Sequence, residues 1–102
     1  MPIMEIAIVP LGTKTASVSK YIASSIEVLK KEKHIKYNLT SMGTIIEADS
    51  SEKLFNIANK MHRKVLSNKV KRAVTTIKID ERKDKKLTAK RKIQSVQNKL
   101  RI

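Results

Sequence analysis

The chain is predicted to be α+β on three observations. Its apolar spacing switches between the two-residue period of strands and the 3.6-residue period of helices. Residues 72–80 are dense in β-branched side chains, the mark of a strand. No internal repeat, low-complexity linker or second domain interrupts the 102 residues, so they form one domain.

The elements follow in order. Ile3 to Val9 alternates as a strand, with Met4, Ile6 and Ile8 on one side, Ile3, Ala7 and Val9 on the other, and Glu5 its only charge. Pro10 is expected to end it, and Gly12 and Thr13 to form a turn. A helix over about 16–32 is predicted by the stripe Val18, Ile22, Ile26 and Leu29, with Lys30, Lys31 and Lys33 near its negative end. Residues 36–39 and 44–48 are short strands separated by Thr40, Ser41, Met42 and Gly43. Asp49-Ser50-Ser51-Glu52 resembles a capping box and opens a second helix, whose stripe is Leu54, Ala58, Met61 and Val65 and which ends near Ser67 and Asn68. The strand 72–80 follows. A last helix over about 87–100 carries only the thin stripe Ile93, Val96 and Leu100. This order is the split βαβ, ferredoxin-like βαββαβ arrangement: a four-stranded antiparallel sheet with two helices on one face, here with an added C-terminal helix. Met4, Ile6 and Ile8 are expected on the sheet face left open by the helices. They are too apolar for water, which predicts a homo-oligomer packed through that face.

Composition narrows the function classes. The chain has 23 Lys+Arg against 9 Asp+Glu, a net charge of +14. Residues 82–102 hold nine of the cations and one acid, Asp84, so more than half of the excess lies in the last fifth of the chain. Such a segment points to a nucleic-acid or other polyanionic partner or to a solvated Lys-rich helix. Aromatic side chains are scarce, namely Tyr21, Tyr37 and Phe55, which weakens single-strand recognition by stacking. No cysteine is present, which excludes disulfides, a thiolate nucleophile and a Cys-based zinc site. No apolar run approaches a membrane span, and Met1 to Glu5 lacks the pattern of a secretory signal. A cytoplasmic protein without a membrane partner is the expectation.

Several segments are not required by folding. Pro10-Leu11-Gly12-Thr13, followed by Ser17, Ser19 and Tyr21, is either a glycine turn that binds an anion at a helix start or a plain strand-to-helix turn. Residues 39–44 join two strands with hydroxyls and a glycine. Glu47 lies in an otherwise apolar strand, as a ligand group or as an ion-pair partner of Lys78. His62 has no ligand-spaced partner and reads as an exposed or capping residue. No Ser/His/Asp set, paired-carboxylate motif or metal-ligand set is apparent, and a non-enzymatic protein without a cofactor is expected.

Four blocks in this order, Pro10 to Thr13 with Ser17 to Tyr21, Leu39 to Glu47, Met61-His62, and Arg72 to Lys85, resemble the small thiamine-binding protein family over about residues 3–100. The resemblance implies one ferredoxin-like domain over 1–102, a tetramer built as a dimer of dimers, and binding of thiamine or its hydroxymethylpyrimidine moiety without catalysis. The residues agree with such a ligand. A site for an aminopyrimidine or a cationic thiazolium needs a carboxylate, hydroxyls and an apolar wall. Glu47 supplies the carboxylate, Ser17, Ser19, Thr40 and Thr44 the hydroxyls, and Met42 the wall. Gly12, Thr13 and Gly43 complete the candidate set. The expected geometry places the loop after the first strand and Glu47 at one end of the sheet. The Lys-rich segment 82–101 keeps a basic nucleic-acid-binding module as the alternative function.

Overall fold

The computed structural model describes residues 1–14 and 18–101. The elements run β1 (Ile3–Leu11), α1 (Ser19–Lys30), β2 (Lys36–Leu39), β3 (Thr44–Glu47), α2 (Ser51–Leu66), β4 (Arg72–Asp80) and α3 (Ala89–Leu100). The sheet order is β2-β3-β1-β4 with every pairing antiparallel. This is the ferredoxin-like α+β fold with an added C-terminal helix.

β1 runs two residues past the expected stop. Pro10 pairs with Ala73 and Leu11 with Arg72. β3 pairs with β1 only as far as Ile6, so beyond it that side of β1 is a sheet edge, where a missing N–H is tolerated. α1 starts at Ser19 and ends at the Lys31 cap, shorter than its periodicity suggested. α2 is capped by Ser50, whose side chain accepts from the Lys53 amide. The cap therefore lies one residue later than a box starting at Asp49. Its predicted stripe, Leu54, Ala58, Met61 and Val65, is buried and is joined by Ile57.

The register corrects the expectation for the open face. Met4 stands opposite Ile46 and Ile79, and Ile6 opposite Thr44 and Ile77. Opposed residues share a face. Met4, Ile6 and Ile46 are buried with Leu29, Leu54, Ile57 and Met61 under α1 and α2, and Ile8 packs against the same cluster. The most apolar side of β1 is thus the helix side, because two helices cover more apolar area than one end of a third helix can. The opposite face carries Glu5, Ala7, Val9, Val74, Thr76 and Lys78 by the same register. Val9 and Val74 stand about half exposed there, at 48% and 46%.

α3 buries none of its residues, and Ile93, Val96 and Leu100 are all exposed. It is tied to the sheet at its start: the Ala89 amide donates to Glu47 Oε1 at 2.9 Å, and Lys92 pairs with Asp80 at 2.6 Å. Leu87, just before it, is buried.

Ile46 is fully enclosed. Ile46→Ala is expected to lower stability by about 2–5 kcal/mol, the range for truncating a buried aliphatic side chain, read as a shifted midpoint in urea unfolding.

Candidate functional site

Between α1, the middle of β1 and the β2–β3 turn lies a cavity of about 240 Å³. Ile8, Val18, Ile22, Leu39, Met42 and Met61 make its walls mainly apolar. A second cavity of about 400 Å³ shares Ile22, Leu39 and Thr40 with the first and extends to Ser19, Ile26 and Lys30. The two together form a cleft along α1. A further groove of about 340 Å³ between α1 and α2 is lined by Lys60 and Glu32, an ion pair at 2.8 Å, and contains none of the candidate residues.

The turn that closes the cleft is built by Thr40. Its hydroxyl donates to the Gly43 carbonyl at 2.7 Å and accepts from the Gly43 amide at 3.0 Å and the Met42 amide at 3.3 Å. A Ser/Thr side chain bonded to its own turn in this way fixes the turn locally. The Thr40 hydroxyl is therefore engaged in shaping the site. Gly43 lets the turn lie against β1, since a Cβ there would stand 3.0 Å from the Ile6 carbonyl oxygen. Met42, 84% exposed, overhangs the opening.

Thr44 differs from its neighbours. It is 3% exposed, lies opposite Ile6 on the helix side of the sheet and lines the cavity. Its hydroxyl has no hydrogen-bond partner among the described residues. Ser25, also 3% exposed, lines the same cavity and donates its hydroxyl to the Ile22 carbonyl at 2.8 Å. The site is thus an apolar slot with the hydroxyls of Thr44 and Ser25 on its wall and, at its edge, a tight turn whose Met42 and Gly43 amides are held by Thr40.

Of the residues chosen from sequence, Thr40, Met42, Gly43 and Thr44 line the first cavity and Ser19 the second. Gly12 and Thr13 line neither; Gly12, with φ 76°, turns the chain after Leu11. Ser17 lies outside the described residues. The expected position of Glu47 is overturned. In the antiparallel pairing Glu47 stands opposite Ile3, at the start of β1, while Thr44 stands opposite Ile6 and Gly12 follows the far end of β1. Glu47 and the loop after β1 therefore leave opposite ends of the sheet. Glu47 is buried on the other face and accepts from the Ala89 amide. Its ion pair with Lys78 is absent too: Lys78 lies across from Glu5, at 3.9 Å.

Sequence reasoning missed Ser25 and Leu39 as cleft residues. Ser25 lies one turn beyond Tyr21 on the buried side of α1, a hydroxyl among apolar neighbours. It also missed that His62 is part-buried, with Nδ1 2.6 Å from the Thr75 hydroxyl across the α2–β4 contact. No group of three or more His, Asp or Glu suited to a metal ion occurs among the described residues.

Two substitutions separate turn shape from chain pinning. Gly43→Ala is expected to cost about 1–3 kcal/mol, the range for overpacking, because the backbone of β1 must give way. Glu47→Ala should lower stability by about 1–3 kcal/mol through the unpaired Ala89 amide, read by urea unfolding, and leave the cleft intact.

The sequence and the fold have known relatives. The family model for thiamine-binding proteins matches residues 4–97. A UPF0045 protein of Bacillus subtilis is 41% identical over 103 residues, covering 98% of each chain. A crystal structure of a Methanocaldococcus jannaschii protein superposes with a TM-score of 0.84 at 43% identity, covering 94% of this chain and 95% of that one. A Thermotoga maritima structure, provisionally assigned to thiamine biosynthesis or salvage, gives a TM-score of 0.77 at 20% identity, covering 93% and 97%, a likeness of fold. With a family match over nearly its whole length and relatives above 40% identity, the chain belongs to the thiamine-binding protein family.

Proposed function

We propose that the protein binds thiamine or its hydroxymethylpyrimidine moiety, without catalysis, in the cleft between α1 and the β2–β3 turn, and that it does so as a homo-oligomer. The observation that carries this reading is Thr44, a residue 3% exposed whose hydroxyl, without a partner among the described residues, opens onto a mainly apolar slot. A hydroxyl open to an apolar slot can donate to and accept from an entering ligand, and a flat heterocycle with ring nitrogens and an amino group supplies both the bond and the apolar contact. Family membership supports the ligand class.

The cleft favours the pyrimidine half. A cationic thiazolium calls for a carboxylate, and none of the described residues lining either cavity carries one; among them the one charged group is Lys30. The neutral ring therefore sits innermost, with the thiazolium toward solvent. The tetramer, a dimer of dimers, rests on the sheet face opposite α1 and α2. That face is less apolar than the sequence suggested. Exposed Val9 and Val74, with half-buried Ala7, still form an apolar strip on it, and the stripe of α3 is unburied.

Thr44→Val keeps the shape and removes the hydroxyl. Calorimetric titration should show hydroxymethylpyrimidine binding weakened by about 0.5–1.5 kcal/mol, the net worth of one hydrogen bond, with the unfolding midpoint unchanged or raised. Equal affinity in both proteins would remove Thr44 from the site. Sedimentation at micromolar concentration should give a mass near four chains, and a monomer would reject the assembly.

A further inference from the structure

The second feature lies at the other end of the sheet. Residues after β4 and the first turns of α3 enclose a groove of about 350 Å³ lined by Arg82, Lys85, Lys86, Arg91 and Lys92, with Leu87 as its buried floor and Ser95 on one wall. Two of the cations are answered. Arg82 Nε donates to Asp84 at 2.9 Å, and that bond holds the Asp84 carboxyl below the usual carboxylate range. Lys92 pairs with Asp80 at 2.6 Å. Lys85, Lys86 and Arg91 have no carboxylate partner among the described residues. Five cations and two carboxylates leave a net charge of +3 around one groove.

The groove is shaped rather than incidental. Thr88 caps α3 by accepting from the Arg91 amide at 3.0 Å, and Glu47 accepts from the Ala89 amide at 2.9 Å. The Ala89 and Arg91 amides of α3 are therefore satisfied, and attraction for an anion rests mainly on the side chains. We propose that this groove is a binding site for a compact polyphosphate, free or as the terminal group of an ester. A single carboxylate would leave most of the +3 unanswered, whereas a di- or triphosphate matches it and offers the planar arginine a bidentate partner. An extended nucleic-acid backbone is matched less well. Lys90 and Lys99 lie half a turn apart about the α3 axis, so they form no continuous track, and no aromatic side chain among the described residues lines the groove for stacking. The site lies past the Ile3 end of β1, whereas the cleft begins at Ile6, three strand residues or about 10 Å further along, and it stands whether or not the cleft binds a pyrimidine.

The test is calorimetric titration of the full chain with inorganic tripolyphosphate, alone and against duplex DNA of about 20 base pairs. One tripolyphosphate per chain is expected, with amide shifts in the NMR spectrum centred on residues 82–95. Replacing two groove cations, Lys86→Gln with Arg91→Gln, should weaken binding by about tenfold or more. Replacing two cations at the far end of the sheet, Lys69→Gln with Lys71→Gln, should change it by less than about twofold. Equal losses in the two variants would overturn the site in favour of diffuse charge. Duplex binding that tripolyphosphate fails to displace would overturn it in favour of a nucleic-acid track.

Discussion

β1 is held between two antiparallel partners, and the register of those pairings decides the placement of nearly every other group. Ile3 stands opposite Glu47 on one side and Asp80 on the other; Ile6 stands opposite Thr44 and Ile77. Because side chains alternate along a strand, a slip of one residue would turn Met4, Ile6 and Ile46 out of the core. The same slip would turn Thr44 away from the cleft and Glu47 away from α3. The buried cluster under α1 and α2 therefore enforces the register, and the register delivers the site.

A consequence is polarity along the strands. β3 is four residues long and pairs with the first half of β1. The second half of β1 is left with an open side where α1 and the β2–β3 turn frame the cleft, and Gly43 lets that turn sit close against the strand. At the opposite end, Glu47 and Asp80 flank Ile3 and receive α3 through Ala89 and Lys92. One end is thus an apolar slot with hydroxyls and the other a cationic groove anchored by carboxylates. The two proposed sites thus lie toward opposite ends of β1.

The strands and helices were legible in the sequence because their signals are local: the β-branched run 72–80 and the stripe of α2 match the structure closely. The turn 40–43 was legible for the same reason, since Thr40 and Gly43 act on their own neighbours. What was not legible depends on pairing between distant segments. The alternation of β1 gave two faces without saying which lay beneath the helices, and Met4, Ile6 and Ile8 were assigned to the wrong one. Glu47 looked like a site residue because a carboxylate in an apolar strand needs a partner. The partner is the amide of Ala89, 42 residues away, which no local pattern points to. Ser25 escaped notice because a serine in an amphipathic helix carries no periodic signal.

Charge and assembly constrain each other. A chain with a net charge of +14 resists association unless its copies meet where charge is low. The strip of Ala7, Val9 and Val74 is such a place, flanked on β1 and β4 by Glu5 beside Lys78, whose charges cancel locally. The cations of residues 82–101 lie past the other end of β4, on a helix that buries nothing within its own chain. Packing the sheet faces together would bring several of these segments into one particle. The repulsion among them falls when salt screens them or an anion neutralises them. If the proposed anion site and the proposed sheet-face assembly both hold, they are linked: each neutralised groove would lower the electrostatic cost of bringing copies together, and association would raise the local density of cations that holds the anion.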